Sequence, residues 1–98
     1  MDIEDVHKRL MNFVRQRCAD KGFELTTVQS FKHLVEEVGE VARELSNVEM
    51  RPDKYDEGNL RKEIADVILE SMILGTTVGI DIGAGLDKKL DELYKRHG

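Results

Sequence analysis

Two segments of the chain share one pattern of acidic and apolar residues, and this pattern restricts the fold more than any other feature. Residues 34–41 and residues 60–67 each place two carboxylates three positions apart beside a run of apolar side chains. Apolar residues that recur every three or four positions form one face of an α-helix. The repeated pattern therefore predicts two amphipathic helices, each with acids beside its buried face.

Helical spacing of apolar residues extends over most of the chain, which contains only one proline. No segment shows the alternation of a strand, and a length of 98 residues is that of one domain. We therefore predict an all-α fold, a small up-and-down four-helix bundle that forms a single domain over residues 1–98. The predicted helices span about residues 2–20, 26–47, 59–78 and 84–95.

Polar and glycine-containing segments set the predicted helix ends. Gly22 is placed to end the first helix, and Thr26 with Gln29 resembles a capping box at the start of the second. The polar stretch 48–58 is expected to be a loop before the third helix. Breaks before the last helix are expected at Gly79, Gly83 and Gly85.

The chain is short and acidic. A chain of 98 residues buries only a thin core, which favours self-association. The 20 acidic and 15 basic residues give a formal net charge of -5, and no basic block is present to neutralise a nucleic-acid backbone. Cys18 is the only cysteine, and the sequence shows neither a signal region nor a bilayer-spanning apolar run. We expect a cytoplasmic protein whose partners include neither a nucleic-acid polymer nor a membrane.

The helical positions of the acids indicate a metal site. In a projection at ~100° per residue, Glu37 and Glu40 lie on one flank of the apolar stripe of the second helix. Glu63 and Asp66 lie on the matching flank of the third helix, offset by 26 residues. If the two helices pack antiparallel, the carboxylates converge, and such hard oxygen ligands suit Mg²⁺ or Mn²⁺. The alternative is an ordinary solvated acidic face.

The two stripes and their neighbours define what is expected to be buried. The stripes comprise Leu34, Val38, Val41 and Leu45 on the second helix and Leu60, Ile64, Val67 and Ser71 on the third. Gly39 lies inside a predicted helix, where glycine costs up to ~1 kcal/mol relative to alanine. Close helix packing would explain this glycine, and so would room for a ligand beside Glu37 and Glu40.

The residues around both acid pairs resemble a family signature. Glu36-Glu37-Val38-Gly39-Glu40, followed by Glu63-Ile64-Ala65-Asp66-Val67, is similar to the Glu-Glu-x-x-Glu … Glu-x-x-Asp signature of the MazG-type nucleotide pyrophosphohydrolases. These enzymes belong to an all-α NTP pyrophosphatase superfamily. The resemblance covers both central helices, and it implies a fold of this type that works as a homodimer or homotetramer.

The resemblance implies Mg²⁺-dependent hydrolysis of a nucleoside triphosphate, ribo- or deoxyribo-, to the monophosphate and pyrophosphate through attack of metal-activated water at the α-phosphorus. Mn²⁺ would be a substitute ion. The implied metal ligands, which are catalytic through the metal, are Glu37, Glu40, Glu63 and Asp66. Glu36, the first acid of the signature, would have a supporting role at most. His33 stands where the family often has lysine, so the phosphate contact of that lysine is not carried over.

Other roles stay open. Glu44 and Glu70 lie one turn beyond Glu40 and Asp66, where they would orient water, hold a second ion or be exposed charges. A ferritin-like metal site needs repeated Glu-x-x-His motifs, and the sequence has this spacing once, at residues 4–7. A non-catalytic helical oligomerisation module is the alternative function, and it predicts neither stabilisation by Mg²⁺ nor release of pyrophosphate.

Overall fold

The computed structural model describes residues 2–97, which form four α-helices and one short 3₁₀ turn. The elements are α1 (Ile3–Lys21), α2 (Thr27–Met50), the 3₁₀ turn (Pro52–Lys54), α3 (Glu57–Thr77) and α4 (Ile82–His97). No strand occurs within residues 2–97. The predicted all-α class and the four helices are therefore confirmed.

The first two helices end and begin where the sequence predicted. Gly22 has a φ of 68° directly after α1, a left-handed conformation that glycine adopts without strain. Thr26 Oγ1 accepts a hydrogen bond from the Gln29 N–H at 3.1 Å, and Gln29 Oε1 accepts one from the Thr26 N–H at 3.3 Å. This reciprocal pair confirms the predicted capping box.

The connection between α2 and α3 is shorter than predicted. α2 continues to Met50, and α3 already begins at Glu57. Pro52 disfavours the helical conformation at Arg51, which has φ -145° and ψ 65°, so α2 stops there rather than at the earlier polar residues. The predicted loop over residues 48–58 is therefore wrong at both of its ends.

The break before α4 lies at Gly79, which has a φ of 74°. Gly83 and Gly85 lie inside α4, so the breaks predicted there are wrong. The Asp81 carboxylate accepts a hydrogen bond from the Ala84 N–H at 3.2 Å. This cap stabilises the first turn of α4 and compensates for the low helix propensity of the two glycines.

The central unit is the antiparallel pair of α2 and α3. Glu44, late in α2, contacts Asn59, early in α3, and the charge of His33, early in α2, acts on Glu70, late in α3. This register places the two acid motifs opposite each other, as predicted. α1 packs on another face of α3, where the His7 ring hydrogen-bonds Thr76 Oγ1 at 2.8 Å.

α4 turns away from α3, which makes the packing more open than that of the small up-and-down bundle that we predicted. Its axis is bent by 110° from that of α3. The two helices approach closely at Gly75, where an added Cβ would lie 2.6 Å from Cγ1 of Ile82. No single helix of the described chain is long and apolar enough to cross a membrane, and α3 with α4 meets that test only as a bent pair.

The core is thin, and large apolar surfaces stay exposed. The buried apolar side chains of the described chain are Met72 and Ile73, and the buried polar ones are Ser30 and Glu44. The apolar residues of α2 and α4 instead form exposed stripes with mostly three- and four-residue spacing. These stripes comprise Val28, Phe31, Val35, Val38 and Leu45 on α2 and Leu86, Leu90 and Leu93 on α4.

Candidate functional site

The acids of α2 lie closer to α3 than the helical projection predicted. Glu37 is half-buried and Glu44 is 7% exposed, whereas Val38 and Leu45 of the predicted stripe are 50% and 49% exposed. The face of α2 toward α3 consists of Ser30, Leu34, Glu37, Val41 and Glu44. This alternating spacing of four and three is that of a helix-pair contact. The prediction that Glu37 lies on the flank of the buried stripe is therefore wrong, and Glu44 also belongs to this contact.

On α3, too, acids are more buried than part of the predicted apolar stripe. Glu63 and Glu70 are half-buried, while Ile64, predicted in the buried stripe, is 46% exposed. Glu40 and Asp66 are exposed beside this contact. The two helices thus meet through a face that carries carboxylates in place of some of the apolar side chains that were expected.

Glu37 is surrounded by other carboxylates. Burial raises the pKa of Glu37, and the negative charges of Glu40, Asp66 and Glu70 raise it further, as does a hydrogen bond with Glu40. Its Oε2 is buried and has no hydrogen-bond partner. The structure therefore brings acids from both helices together at Glu37, in a position where a negative charge is disfavoured.

Glu63 has one oxygen that is held and one that is free. Its Oε1 accepts a hydrogen bond from Asn59 Nδ2 at 3.0 Å, whereas its Oε2 is buried without a partner. Within residues 2–97, the other buried side-chain oxygens without a partner are Oε2 of Glu37 and Oγ of Ser30. Two of the four predicted ligands therefore each present an unsatisfied carboxylate oxygen.

Glu70 lies between the acids and two basic side chains. Burial raises its pKa, the charge of His33 opposes this effect, Asp66 adds to it, and Arg17 of α1 opposes it. Glu70 is half-buried, so its interpretation as an exposed helix charge is wrong. The end of the acid cluster near the start of α2 is therefore the end with basic neighbours.

Glu44 has a structural contact that explains its burial. Its Oε1 accepts a hydrogen bond from the Asp56 backbone N–H at 2.7 Å, and its Oε2 accepts one from Asn59 Nδ2 at 3.0 Å. These two bonds, the backbone bond first, lower the pKa of Glu44. Glu44 is therefore an ionised acid that ties the end of α2 to the start of α3, and its interpretation as an exposed charge is wrong.

The acids fit a divalent cation by their chemistry, although they do not form a ready cage. Within residues 2–97, no three His, Cys, Asp or Glu side chains are already arranged to hold a metal ion. The unsatisfied oxygens of Glu37 and Glu63, and the repulsion among the carboxylates around Glu37, are features that a bound cation offsets. Carboxylate oxygens are also the ligands that Mg²⁺ prefers.

A family comparison covers most of the chain. The family model described as the MazG nucleotide pyrophosphohydrolase domain matches residues 25–98. The chain belongs to this family. The resemblance inferred from the acid signature is thereby confirmed, and the match includes both acid motifs but not α1. No curated protein and no solved structure matches the chain.

One surface groove adjoins the acids of the MazG motif. It has a volume of about 300 Å³ and contains the first acid of the signature, Glu36. His33 also lines this groove, and its charge acts on Glu70 of the acid cluster. The groove is lined by Phe23, Leu25, Gln29, Lys32, His33 and Glu36.

Sequence reasoning missed two residues beside the MazG acids. Asn59 contacts both Glu44 and Glu63, and the available signal was its position three residues after the helix-capping Asp56. Arg17 lies on α1, and its charge acts on Glu70. No motif marks Arg17, since it reaches the acids only through the packing of α1 on α3.

Proposed function

We propose that the chain is a Mg²⁺-dependent nucleoside triphosphate pyrophosphohydrolase, which converts a ribo- or deoxyribonucleoside triphosphate to its monophosphate and pyrophosphate. The observation that carries this proposal is the pair of buried, unsatisfied carboxylate oxygens of Glu37 and Glu63, on two helices that the MazG family match includes. Both belong to the acid signature, and they face a shared helix contact rather than open solvent.

The metal ligands in this proposal are the four acids of the two motifs. Glu37, Glu40, Glu63 and Asp66 hold Mg²⁺, or Mn²⁺ in its place. When bound, such an ion offsets the charge of phosphate oxygens and lowers the pKa of water, which suits attack at the α-phosphorus. The carboxylates position the ion, and a bound cation offsets the burial and the neighbouring negative charges that raise the pKa of Glu37.

Neighbouring residues give the substrate a direction. Arg17 and His33 act on Glu70 at one end of the acid cluster, so this end attracts the negative phosphates that leave as pyrophosphate. The nucleoside occupies the adjoining groove, where the ring of Phe23 offers a stacking face and Gln29 offers an amide. Glu36 lines this groove and has a supporting role.

The reaction is tested by the products from a panel of ribo- and deoxyribonucleoside triphosphates with Mg²⁺. We expect pyrophosphate as the first product. Glu37→Gln should lower turnover more than about 100-fold, because even residues that only support a metal ligand account for about 10–100-fold. Glu49→Gln, an exposed acid at the far end of α2, is the matched control and should retain activity. Orthophosphate as the first product would contradict the proposed reaction.

The groove is tested by a second pair of variants. Stacking of a base on an aromatic ring contributes about 1–3 kcal/mol. Phe23→Ala should therefore raise KM for the preferred nucleotide about fivefold or more. Tyr94→Ala, which removes a 76% exposed ring from α4, should leave KM unchanged. Equal KM values for all three proteins would place the nucleoside elsewhere and leave the reaction itself untouched.

The exposed apolar stripes favour a homodimer or homotetramer as the working state. They give half-exposed side chains on α2 and α4 that a thin core cannot cover within one chain. The same stripes also support the alternative function, a non-catalytic oligomerisation module. Val35→Glu, on the exposed α2 stripe, should lower the mass in light scattering, and Mg²⁺-dependent hydrolysis by the wild type separates the enzyme from the module.

A further inference from the structure

Glu44 of α2 and Glu63 of the second acid motif are connected by a chain of hydrogen bonds through one amide, that of Asn59. Glu44 Oε2 accepts from Asn59 Nδ2 at 3.0 Å, and Glu63 Oε1 accepts from the same Nδ2 at 3.0 Å. A primary amide has two N–H groups, so both are used. Because ionised carboxylates only accept hydrogen bonds, the NH₂ end of Asn59 must face the two acids.

Each end of this chain is fixed differently. Glu44 is 7% exposed, and its second oxygen is held by the Asp56 backbone N–H at 2.7 Å, so it cannot rotate without breaking a bond from the start of α3. Glu63 has no such second contact, because its Oε2 is buried without a partner. Asn59 therefore transfers a fixed orientation from Glu44 to Glu63.

We propose that Asn59 and Glu44 are positioning residues for Glu63. This inference rests on the proposed function, in which Glu63 is one of the metal ligands. Asn59 occupies Oε1 of Glu63 and leaves Oε2 free, so Glu63 offers one oxygen to a cation in one rotamer. Glu44 keeps the Asn59 amide from turning away, because a rotated amide would leave a buried carboxylate oxygen without its donor.

Residues that orient a metal ligand affect metal affinity as well as turnover, typically by about 10–100-fold. Asn59→Ala removes both amide bonds, and we expect it to weaken Mn²⁺ binding by about 10–100-fold in the absence of nucleotide. Glu44→Gln should act in the same direction, because one of the two accepting oxygens becomes an NH₂ group, which cannot accept from the Asp56 N–H or from Asn59 Nδ2. The measurement is titration of the full chain with Mn²⁺ alone, followed by electron paramagnetic resonance of free Mn²⁺.

Two controls separate positioning from a general loss of structure. Asp56→Ala removes the cap of α3, in which Asp56 Oδ1 accepts from the Asn59 N–H at 3.1 Å, but it leaves the side-chain amide in place. It should lower Tm while Mn²⁺ affinity stays within about threefold of wild type, well below the change that a lost positioning residue causes. Asn12→Ala, an exposed asparagine on α1, should change neither Tm nor Mn²⁺ affinity.

The outcomes distinguish this inference from the proposed function. Mn²⁺ binding that is weakened in Asn59→Ala and Glu44→Gln but retained in Asp56→Ala supports positioning. Equal Mn²⁺ affinities of Asn59→Ala and the wild type overturn positioning and leave the metal set intact. A parallel loss of affinity in Asp56→Ala shows that only the stability of α3 matters, which also overturns it. A wild-type protein that binds no Mn²⁺ overturns the metal ligands and the positioning role together.

Discussion

Glu37→Gln should stabilise the metal-free protein, which is an unusual expectation for a change in a half-buried helix residue. Burial raises the pKa of Glu37, and three carboxylates, Glu40, Asp66 and Glu70, raise it further. A like-charge pair on a helix surface costs about 0.2–0.5 kcal/mol, so the removal of three such repulsions raises the free energy of unfolding by about 1 kcal/mol. For a chain of this size that corresponds to about 4–8 °C in Tm.

With Mg²⁺ bound, the wild type should become more stable than Glu37→Gln. An ion at ten times its Kd adds about 1.4 kcal/mol to the free energy of unfolding of a protein that binds it only when folded. The wild type should gain this increment, and Glu37→Gln, which lacks one ligand, should gain much less. The two stability curves therefore cross as Mg²⁺ is added.

The stability difference between the wild type and Glu37→Gln should also depend on pH, in a direction that the pKa shift of Glu37 sets. The pKa of Glu37 is raised in the folded state, so above the ordinary value of 4.5 the folded protein binds more protons at this site than the unfolded chain. The metal-free wild type should therefore gain stability as the pH falls from neutral through the raised pKa. Glu37→Gln lacks this contribution, so the difference between the two proteins should shrink in that window.

The assay is urea unfolding followed by circular dichroism, at fixed protein concentration because the chain is proposed to associate. Glu49→Gln on the exposed end of α2 is the control for removal of a charge. A metal-free Glu37→Gln protein that is less stable than the wild type would refute the repulsion. Equal gains with Mg²⁺ would refute Glu37 as a ligand.

Two glycines give further predictions with opposite signs. Gly75→Ala should lower the free energy of unfolding by about 1–3 kcal/mol, because the added Cβ would lie 2.6 Å from Cγ1 of Ile82. Ile82→Ala in the same chain should recover part of that loss, and purely additive effects in the double mutant would contradict the contact. Gly39→Ala should raise the free energy of unfolding by about 0.5–1 kcal/mol, because its Cβ would meet nothing within 4 Å and alanine is the better helix former. A destabilised Gly39→Ala protein would show a close contact at this position.

The surroundings of Gly39 exclude one of the two explanations that the sequence offered for this glycine. Close helix packing is wrong for the single chain, because an added Cβ there would lie in open space. Room for a ligand beside Glu37 and Glu40 stays a prediction. A slow but stabilised Gly39→Ala enzyme would support it.

The helices and their caps could be predicted because each depends on a few neighbouring residues. Thr26 with Gln29 and the position of Gly22 determine local hydrogen bonds and backbone angles, so short stretches of sequence are enough. The breaks at Gly83 and Gly85 failed because Asp81 caps that turn. The stabilisation of the helix by the Asp81 cap outweighed the low helix propensity of the two glycines.

The buried face of α2 could not be predicted from periodicity, because this helix is apolar over a wide arc. Leu34 and Val41 turn toward α3, while Val35 and Val38 belong to a second stripe that one chain leaves exposed. Both stripes have helical spacing, so a projection places the centre of the apolar arc in the core. In the structure the contact lies to one side of that centre, and this displacement brings Glu37 into it.

This displacement bears on function because it has an energetic consequence. Packing α2 on α3 through Val38 would be more stable than packing it through Glu37, since a buried charge without a partner is costly. Glu37 and Glu63 nevertheless lie in the contact, with an oxygen of each unsatisfied. In a non-catalytic oligomerisation module these acids bind no cation. Replacing Glu37 by Gln would then stabilise the protein both with and without Mg²⁺. In an enzyme whose acids bind Mg²⁺, the same substitution would stabilise the protein only while Mg²⁺ is absent. The crossing of the two stability curves therefore separates the two functions before any substrate has been identified.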